Sequence, residues 1–198
     1  MSAVETGRLA LKEWHVVTEA IARGDQVLTI RKGGIREKAF HLRGSSFWLF
    51  PSWEHEAPEE TKRVWHAELS HSLGARPSAA IVPVRARATV VDAYEVSDPD
   101  AVASLDRFHL WTPAYVVERL RWRPTKPLSV LVLRAEAMVE PAELPLLERY
   151  GGCRSWVELE ADPVDGTLIS ALTDTAFELF RTGVRDALAE CGVEAVAA

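Results

Sequence analysis

The chain has 198 residues, 47% of them hydrophobic and 26% charged, the composition of an ordinary globular protein. A chain of this length buries enough apolar surface to fold without a disulfide or metal staple. Its two cysteines, Cys153 and Cys191, form neither a CxxC pair nor a zinc-ligand set, so free thiols in a reducing compartment are expected. No basic n-region precedes an apolar h-region, and no run of about 18 uncharged apolar residues occurs. A cytoplasmic protein without membrane segments is therefore expected. The net charge of −6 is unevenly spread. Residues 1–135 carry 19 Lys and Arg against 16 Asp and Glu, and residues 136–198 carry 4 against 13. One face that attracts anions and another that supplies solubility would produce such a split.

In chain order, residues 8–23 read as an amphipathic helix, with Leu11, Trp14, Val17 and Ile21 at helical spacing and Gly24 as the stop. QVLTIRKG reads as a strand. Gly33-Gly34 is a hairpin signal, with a second strand from Ile35 to Leu42. Phe47 to Phe50 is a short apolar strand ending at Pro51. Residues 58–73 look helical, with Pro58 in the first turn and Gly74 as the end. A long β-rich stretch runs from Ala79 to Val96, with Pro83 marking an edge or a bulge. Two short helices follow, opened by Asp98-Pro99 and Thr112-Pro113. Leu128 to Met138 is the strongest strand, and residues 141–149 read as a turn or short helix. Trp156 to Glu160 gives a last strand and residues 171–190 a C-terminal helix.

This order is not a regular βα alternation and predicts an α+β fold. The expected architecture is a small curved mixed or antiparallel sheet, or a partly closed barrel, with flanking helices. Its element order looks like the PUA-like barrels. Residues 1–165 would form one α+β domain, with an acidic helix at 166–198 packed on it or appended.

Two basic-aromatic clusters carry the candidate chemistry. Around the glycine pair stand Arg31, Lys32, Gly33, Gly34, Arg36 and Lys38. Backbone N–H groups in such a turn and neighbouring cations are the parts of a phosphate cradle. No Walker loop and no GxGxxG is present. The second cluster runs from His109 and Trp111 to Lys126, ahead of a strand carrying Arg134. Trp48, Trp53 and Trp111 would stack bases, and His55 and His109 would read polar edges. Arg134, if it points inward, needs a carboxylate, and Glu136 shares its face. The expectation is that the hairpin and the residues near position 110 open onto one positively charged hollow.

Glu54, His55 and Glu56 are the candidate catalytic groups, since a histidine between acids suits proton transfer. In an extended strand Glu54 and Glu56 would face one side and His55 the other. No complete metal signature occurs, since HxE at His66 and Glu68 lacks its PCxxC partner. No cofactor is therefore expected.

The leading expectation is a nucleic-acid or nucleotide-binding module with RNA, DNA or a nucleotide as partner. One alternative is a restriction-endonuclease-like phosphodiesterase, which alone would need Mg²⁺, drawn to Glu37, Glu54 or Glu56. The other is a protein-interaction module using the acidic C-terminal helix. Whether the protein is an enzyme, and its oligomeric state, are not fixed by these residues.

Four segments together carry a family resemblance. They are LKEWHVVTEAIARGDQVLTIRKGGIREKAF, FWLFPSWEHE, FHLWTPAYVVERLRWRPTKPLSVLVLRA and GCRSWVEL. They resemble the bacterial and archaeal domain-of-unknown-function family numbered 1802, over roughly residues 9–160, with RKGGI and the following F-x-L-F-P-x-W-E-H run as the specific part. The resemblance implies no assigned activity, and the last 35 or so residues lie beyond it.

Overall fold

The structure is a computed structural model that describes residues 7–32, 40–77, 80–163 and 167–196. It is an α+β fold on one curled mixed sheet. Strand β1 (Leu9–Trp14) runs into helix α1 (His15–Arg23), followed by β2 (Leu28–Arg31) and β3 (Ser46–Ser52). Two 3₁₀ turns lead to α2 (His66–Gly74) and the long β4 (Ile81–Val96). Then come α3 (Pro99–Ser104), α4 (Pro113–Arg121) and β5 (Leu128–Pro145). The chain closes with β6 (Trp156–Glu158), β7 (Leu168–Ser170), α5 (Asp174–Ala189) and β8 (Ala195–Val196). The strand order is β2-β5-β4-β3-β1-β6, with β7 on β5 and β8 on β4. Only β1 and β3 pair in parallel among the described strands. Register shifts between Val84 and Ala86 and between Val90 and Asp92 break the β4–β5 ladder, and such irregularities add the local twist that curls a sheet.

Residues 9–14 correct the helix expected from 8 to 23. The spacing of Leu11, Trp14, Val17 and Ile21 suits a helix, yet the first six residues pair with β3 on one edge and β6 on the other. Both faces of β1 are buried, so no polar alternation marks it as a strand. Leu9 and Leu11 join Phe47 and Leu49 in the main core. Ala10 joins Trp48, Phe50, Tyr150 and Val157 in a second, smaller core. Pairing and burial outweigh the weak helical preference.

Helix α1 begins only at His15 and ends at Gly24, whose φ of 79° is left-handed. Of the expected second strand, residues 35–39 lie outside the described residues, and residues 40–42 are not strand. Instead Phe40 stacks on Trp156 with centroids 5.8 Å apart, and the Trp156 indole donates to the His41 carbonyl at 2.8 Å. Residues 141–145 continue β5 rather than turning, because residues 142–145 pair with residues 81–84 of β4. Pro83 falls where β4 pairs with β5 alone, so its missing N–H faces an open edge.

The expected caps form. Asp98 accepts from the Asp100 N–H and Thr112 from the Tyr115 N–H. Helix α5 buries Phe177, Val184 and Leu188 in the main core, and Arg181 donates to both carboxylate oxygens of Asp92, at 2.6 and 2.9 Å. No described helix is long and apolar enough to cross a membrane.

Ala10 reports on the second buried face of β1, since it is fully buried in the smaller core with Trp48, Phe50 and Tyr150. Ala10→Leu is expected to overpack the smaller core and cost about 1–3 kcal/mol or more. Urea unfolding of the two proteins measures it, and an unchanged midpoint would contradict the two-sided burial of β1.

Candidate binding cleft

Because β1 and β3 run parallel, their C-terminal ends reach the same edge of the sheet. There they meet the end of β2, the start and outer face of α4, and the turn that precedes β6. These parts enclose a cleft of about 440 Å³. Lys12, Glu13 and Trp14 form its β1 side, Arg31 comes from β2, and Glu54 and His55 follow β3. Trp111, Tyr115 and Arg119 stand opposite, and Cys153 and Arg154 lie on the last turn.

Two residues of β1 organise the polar part. Glu13 is buried, and its carboxylate accepts from the Trp14 N–H at 2.9 Å, the Thr29 hydroxyl at 2.5 Å and Arg31 Nη1 at 3.0 Å. Lys12 Nζ donates to Glu54 at 3.1 Å and to the carbonyls of Tyr150 and Gly152 at 3.2 and 3.1 Å. That ammonium has three donors and all three are used. The cleft holds four cations, Lys12, Arg31, Arg119 and Arg154, and four acids, Glu13, Glu54, Glu60 and Glu118. Among the described residues the charges of the cleft balance, while Arg36 and Lys38 of the expected positive hollow lie outside the described residues.

The opposite wall is aromatic. Trp14 meets Trp111 edge-on at 6.4 Å and Tyr115 at 5.3 Å. Burial pushes the Tyr115 hydroxyl up to about 12, so it is a neutral donor at physiological pH. The Trp111 segment is sewn to the 3₁₀ turn carrying Glu60. The Thr112 N–H donates to the Glu60 carbonyl at 2.9 Å and the Lys62 N–H to the Leu110 carbonyl at 2.9 Å. Burial, then the neighbouring Glu59 and Glu118, raise the Glu60 carboxyl above its ordinary range. Arg31 Nε, Glu60 Oε2 and Trp111 Nε1 are buried without a hydrogen-bond partner among the described residues.

Arg31, Glu54, His55 and Trp111 are thus brought together. His55 adopts φ 68°, a left-handed conformation. That turn ends the strand and breaks the expected alternation, so Glu54 and His55 line the cleft while Glu56 turns into the protein. Glu56 accepts from the Val16 N–H at 2.8 Å and the Ser72 hydroxyl at 2.9 Å, capping α1. Burial raises its carboxyl.

The other candidates lie elsewhere. Lys32 is buried, its ammonium donating to the carbonyls of Leu120 and Lys126 at 2.9 and 2.5 Å. Trp48 is sealed in the smaller core. Trp53 stacks on His15 at 4.6 Å and donates to the Ser72 carbonyl at 2.8 Å. Arg134 lies over Phe177 and pairs with Asp174 rather than Glu136. His109 is buried beside Trp111. Gly33, Gly34, Arg36, Glu37 and Lys38 fall outside the described residues. Glu54 and Glu56 diverge, and no group of three or more His, Cys, Asp or Glu suits a metal ion among the described residues. Glu13, Trp14, Glu60 and Tyr115 were not anticipated. Glu13 gave no signal, because residues 8–23 read as an amphipathic helix, and Tyr115 gave only its nearness to Trp111.

Burial, reinforced by Lys62, lowers the His109 imidazole to about 4. The unfolded chain therefore binds a proton that the folded chain refuses between about pH 6.5 and 4, so stability falls as pH drops through that window. The expected loss from this one group is about 3 kcal/mol between pH 7 and pH 4. Comparing urea midpoints of His109→Gln and the parent across this range checks it. The variant should show a shallower acid loss, and parallel profiles would contradict the assignment.

The family model described as Domain of unknown function (DUF1802) matches residues 10–182, so the likeness reaches into α5, past the limit near residue 160 set by the sequence segments. No curated protein matches the chain. Among solved structures, the crystal structure of a mutant ZmASCH protein from Zymomonas mobilis aligns with 81% of this chain and 94% of its own, at 13% identity and a TM-score of 0.43. With the match spanning β1 through most of α5, the chain belongs to the DUF1802 family.

Proposed function

We propose that the cleft binds a nucleobase, with the attached phosphate at its mouth. The carrying observation is the coincidence in one cavity of an aromatic wall, Trp14, Trp111 and Tyr115, with two arginines, Arg119 and Arg154, that form no ion pair among the described residues. A flat heterocycle that carries a phosphate complements both features. Stacking of a base on an aromatic side chain contributes about 1–3 kcal/mol. Tyr115 and Trp122 supply the accessible aromatic surface, being half-buried and 37% exposed.

The charge pattern fits one nucleotide unit better than a long phosphate track. Lys12 and Arg31 are paired with Glu54 and Glu13 inside the cleft. Arg119 and Arg154 line the cleft and form no ion pair among the described residues. Those two guanidinium groups are the natural phosphate contacts. A base inside a duplex cannot enter such a cleft without leaving its stack, so the ligand is a free nucleotide or a nucleotide of a single strand.

Titrating mononucleotides and short single-stranded RNA and DNA while following tryptophan fluorescence tests the reading. Tyr115→Ala is expected to weaken binding about ten-fold, the value of one lost stacking contact. With two phosphate contacts on a strand, log K should fall with log salt at a slope of about −1.4. Strand binding that exceeds mononucleotide binding would identify nucleic acid as the ligand source. No binding of either kind at low salt, or binding indifferent to Tyr115, would remove the proposal.

A further inference from the structure

Helix α4 leaves the cleft in a basic run. Residues 119–127, RLRWRPTKP, hold Arg119, Arg121, Arg123 and Lys126 and no acid. Arg119 and Trp122 line the cleft, so the run begins at the wall of the cleft itself. The helix ends at Arg121, and Trp122 takes an extended ψ of 119°. Arg123 has a left-handed φ of 55° and lays its guanidinium over the Trp122 ring, 4.4 Å from the centroid. The Lys126 N–H donates to the Arg123 carbonyl at 3.0 Å and closes a turn. The buried Lys32 ammonium donates to the carbonyls of Leu120 and Lys126, at 2.9 and 2.5 Å, and so ties the two ends of the turn together. Pro124 and Pro127 fix φ at two further positions. These bonds hold the segment in shape before any partner arrives, which lowers the ordering cost of binding.

Arg121, Trp122 and Lys126 are exposed. Neither Arg121 nor Lys126 forms an ion pair among the described residues. Arginines elsewhere on the molecule are committed: Arg23, Arg134, Arg181 and Arg185 each pair with an acid. The other sizeable groove, about 580 Å³, follows that rule, since its Arg85 pairs with Glu19 and its Arg23 with Asp25. Uncompensated cations beside an exposed indole are the two parts of a single-strand surface, where cations follow the phosphates and the ring takes a base face. A duplex keeps its base faces stacked inside, and a run of aspartate or glutamate gives an indole nothing to stack on. Resting on the nucleobase reading above, we infer that the turn after α4 continues the binding surface and that the partner is a single-stranded nucleic acid. One nucleotide enters the cleft, the adjoining base reaches Trp122, and the following phosphates lie on Arg121 and Lys126.

The test titrates a 5′-phosphorylated uridine dinucleotide, which carries two phosphates, and octauridylate against the full chain across a salt series. For the dinucleotide the slope of log K against log salt should stay near about −1.4, and for the octanucleotide it should reach about −2.8, the value for four phosphate contacts on a single strand. The double variant Arg121→Gln, Lys126→Gln changes two exposed side chains outside the cleft lining. In it the octanucleotide should return to the dinucleotide slope and lose about ten-fold or more in affinity at about 0.1 M salt, with the dinucleotide changed by less than about two-fold. A duplex RNA hairpin of equal phosphate number and octaglutamate should each bind about ten-fold or more weakly than octauridylate, because neither offers a free base to the indole. An octanucleotide that keeps the dinucleotide slope, or that is indifferent to the double variant, would overturn the inference and leave the nucleobase reading intact. Hairpin binding as tight as that of the single strand would assign the turn to duplexes instead, and equal binding of octaglutamate would assign it to an acidic protein segment. Failure of the dinucleotide and the octanucleotide alike at low salt would remove both readings.

Discussion

A buried carboxylate has to be answered on every side, and Glu13 shows what the answer imposes. Its two oxygens take the N–H that begins the turn into α1, the hydroxyl of Thr29 on β2 and the guanidinium of Arg31. Removing one partner from such a group leaves charge stranded in a low-dielectric site, a destabilising change of about 3–5 kcal/mol. The end of β1, the register of β2 and the orientation of the cleft arginine are therefore one coupled arrangement. Lys12 extends it, since its three hydrogen bonds clamp the turn after β3 to the loop before β6. Geometry at the cleft is set by these two adjacent side chains of β1, a strand paired on both edges.

The distribution of positive charge illustrates why a sequence-level surplus says little about a surface. The basic residues of the first 135 positions have mostly structural partners. Lys32 satisfies two carbonyls at and beyond the end of α4, where the last helical carbonyls have no partner of their own. Lys62 donates to the Asp106 and His109 carbonyls and pairs with the Asp106 carboxylate. Arg85 reaches Glu19 and the Met138 carbonyl. Among the described residues, Arg119 and Arg154 are the cleft cations without an ion pair.

Features governed by local chemistry were legible from the residues alone. Asp98-Pro99 and Thr112-Pro113 announced helix starts, Gly24 announced a stop, and the apolar run from Leu128 announced a strand. What escaped was governed by distant partners. Residues 9–14 carry helix-compatible spacing and become a strand only because β3 and β6 flank them. Residues 141–145 extend β5 only because β4 is long enough to pair with them. The same division runs through the site. Arg31 and Trp111 stood out by residue type, but Glu13, which pairs with Arg31, and Glu60, which shares the cleft, did not, because an isolated acid in a sequence looks like any surface acid. Trp48 and Trp53 shared the composition of a stacking platform and proved to be packing groups, since burial of an indole depends on neighbours far along the chain.

The flanks of β1 have a consequence for how this protein comes off the ribosome. Its outer edge is closed by residues 156–158, and the Lys12 clamp reaches a carbonyl 140 positions downstream. A nascent chain carrying everything through β5 would still show an apolar central strand with one ladder of backbone groups open, the template for pairing with another chain. The cleft is incomplete in that state, because Lys12 and Glu13 precede β2 while Gly152 to Ser155 follow β5. A chain that stops before residues 152–158 keeps its open ladder exposed to association.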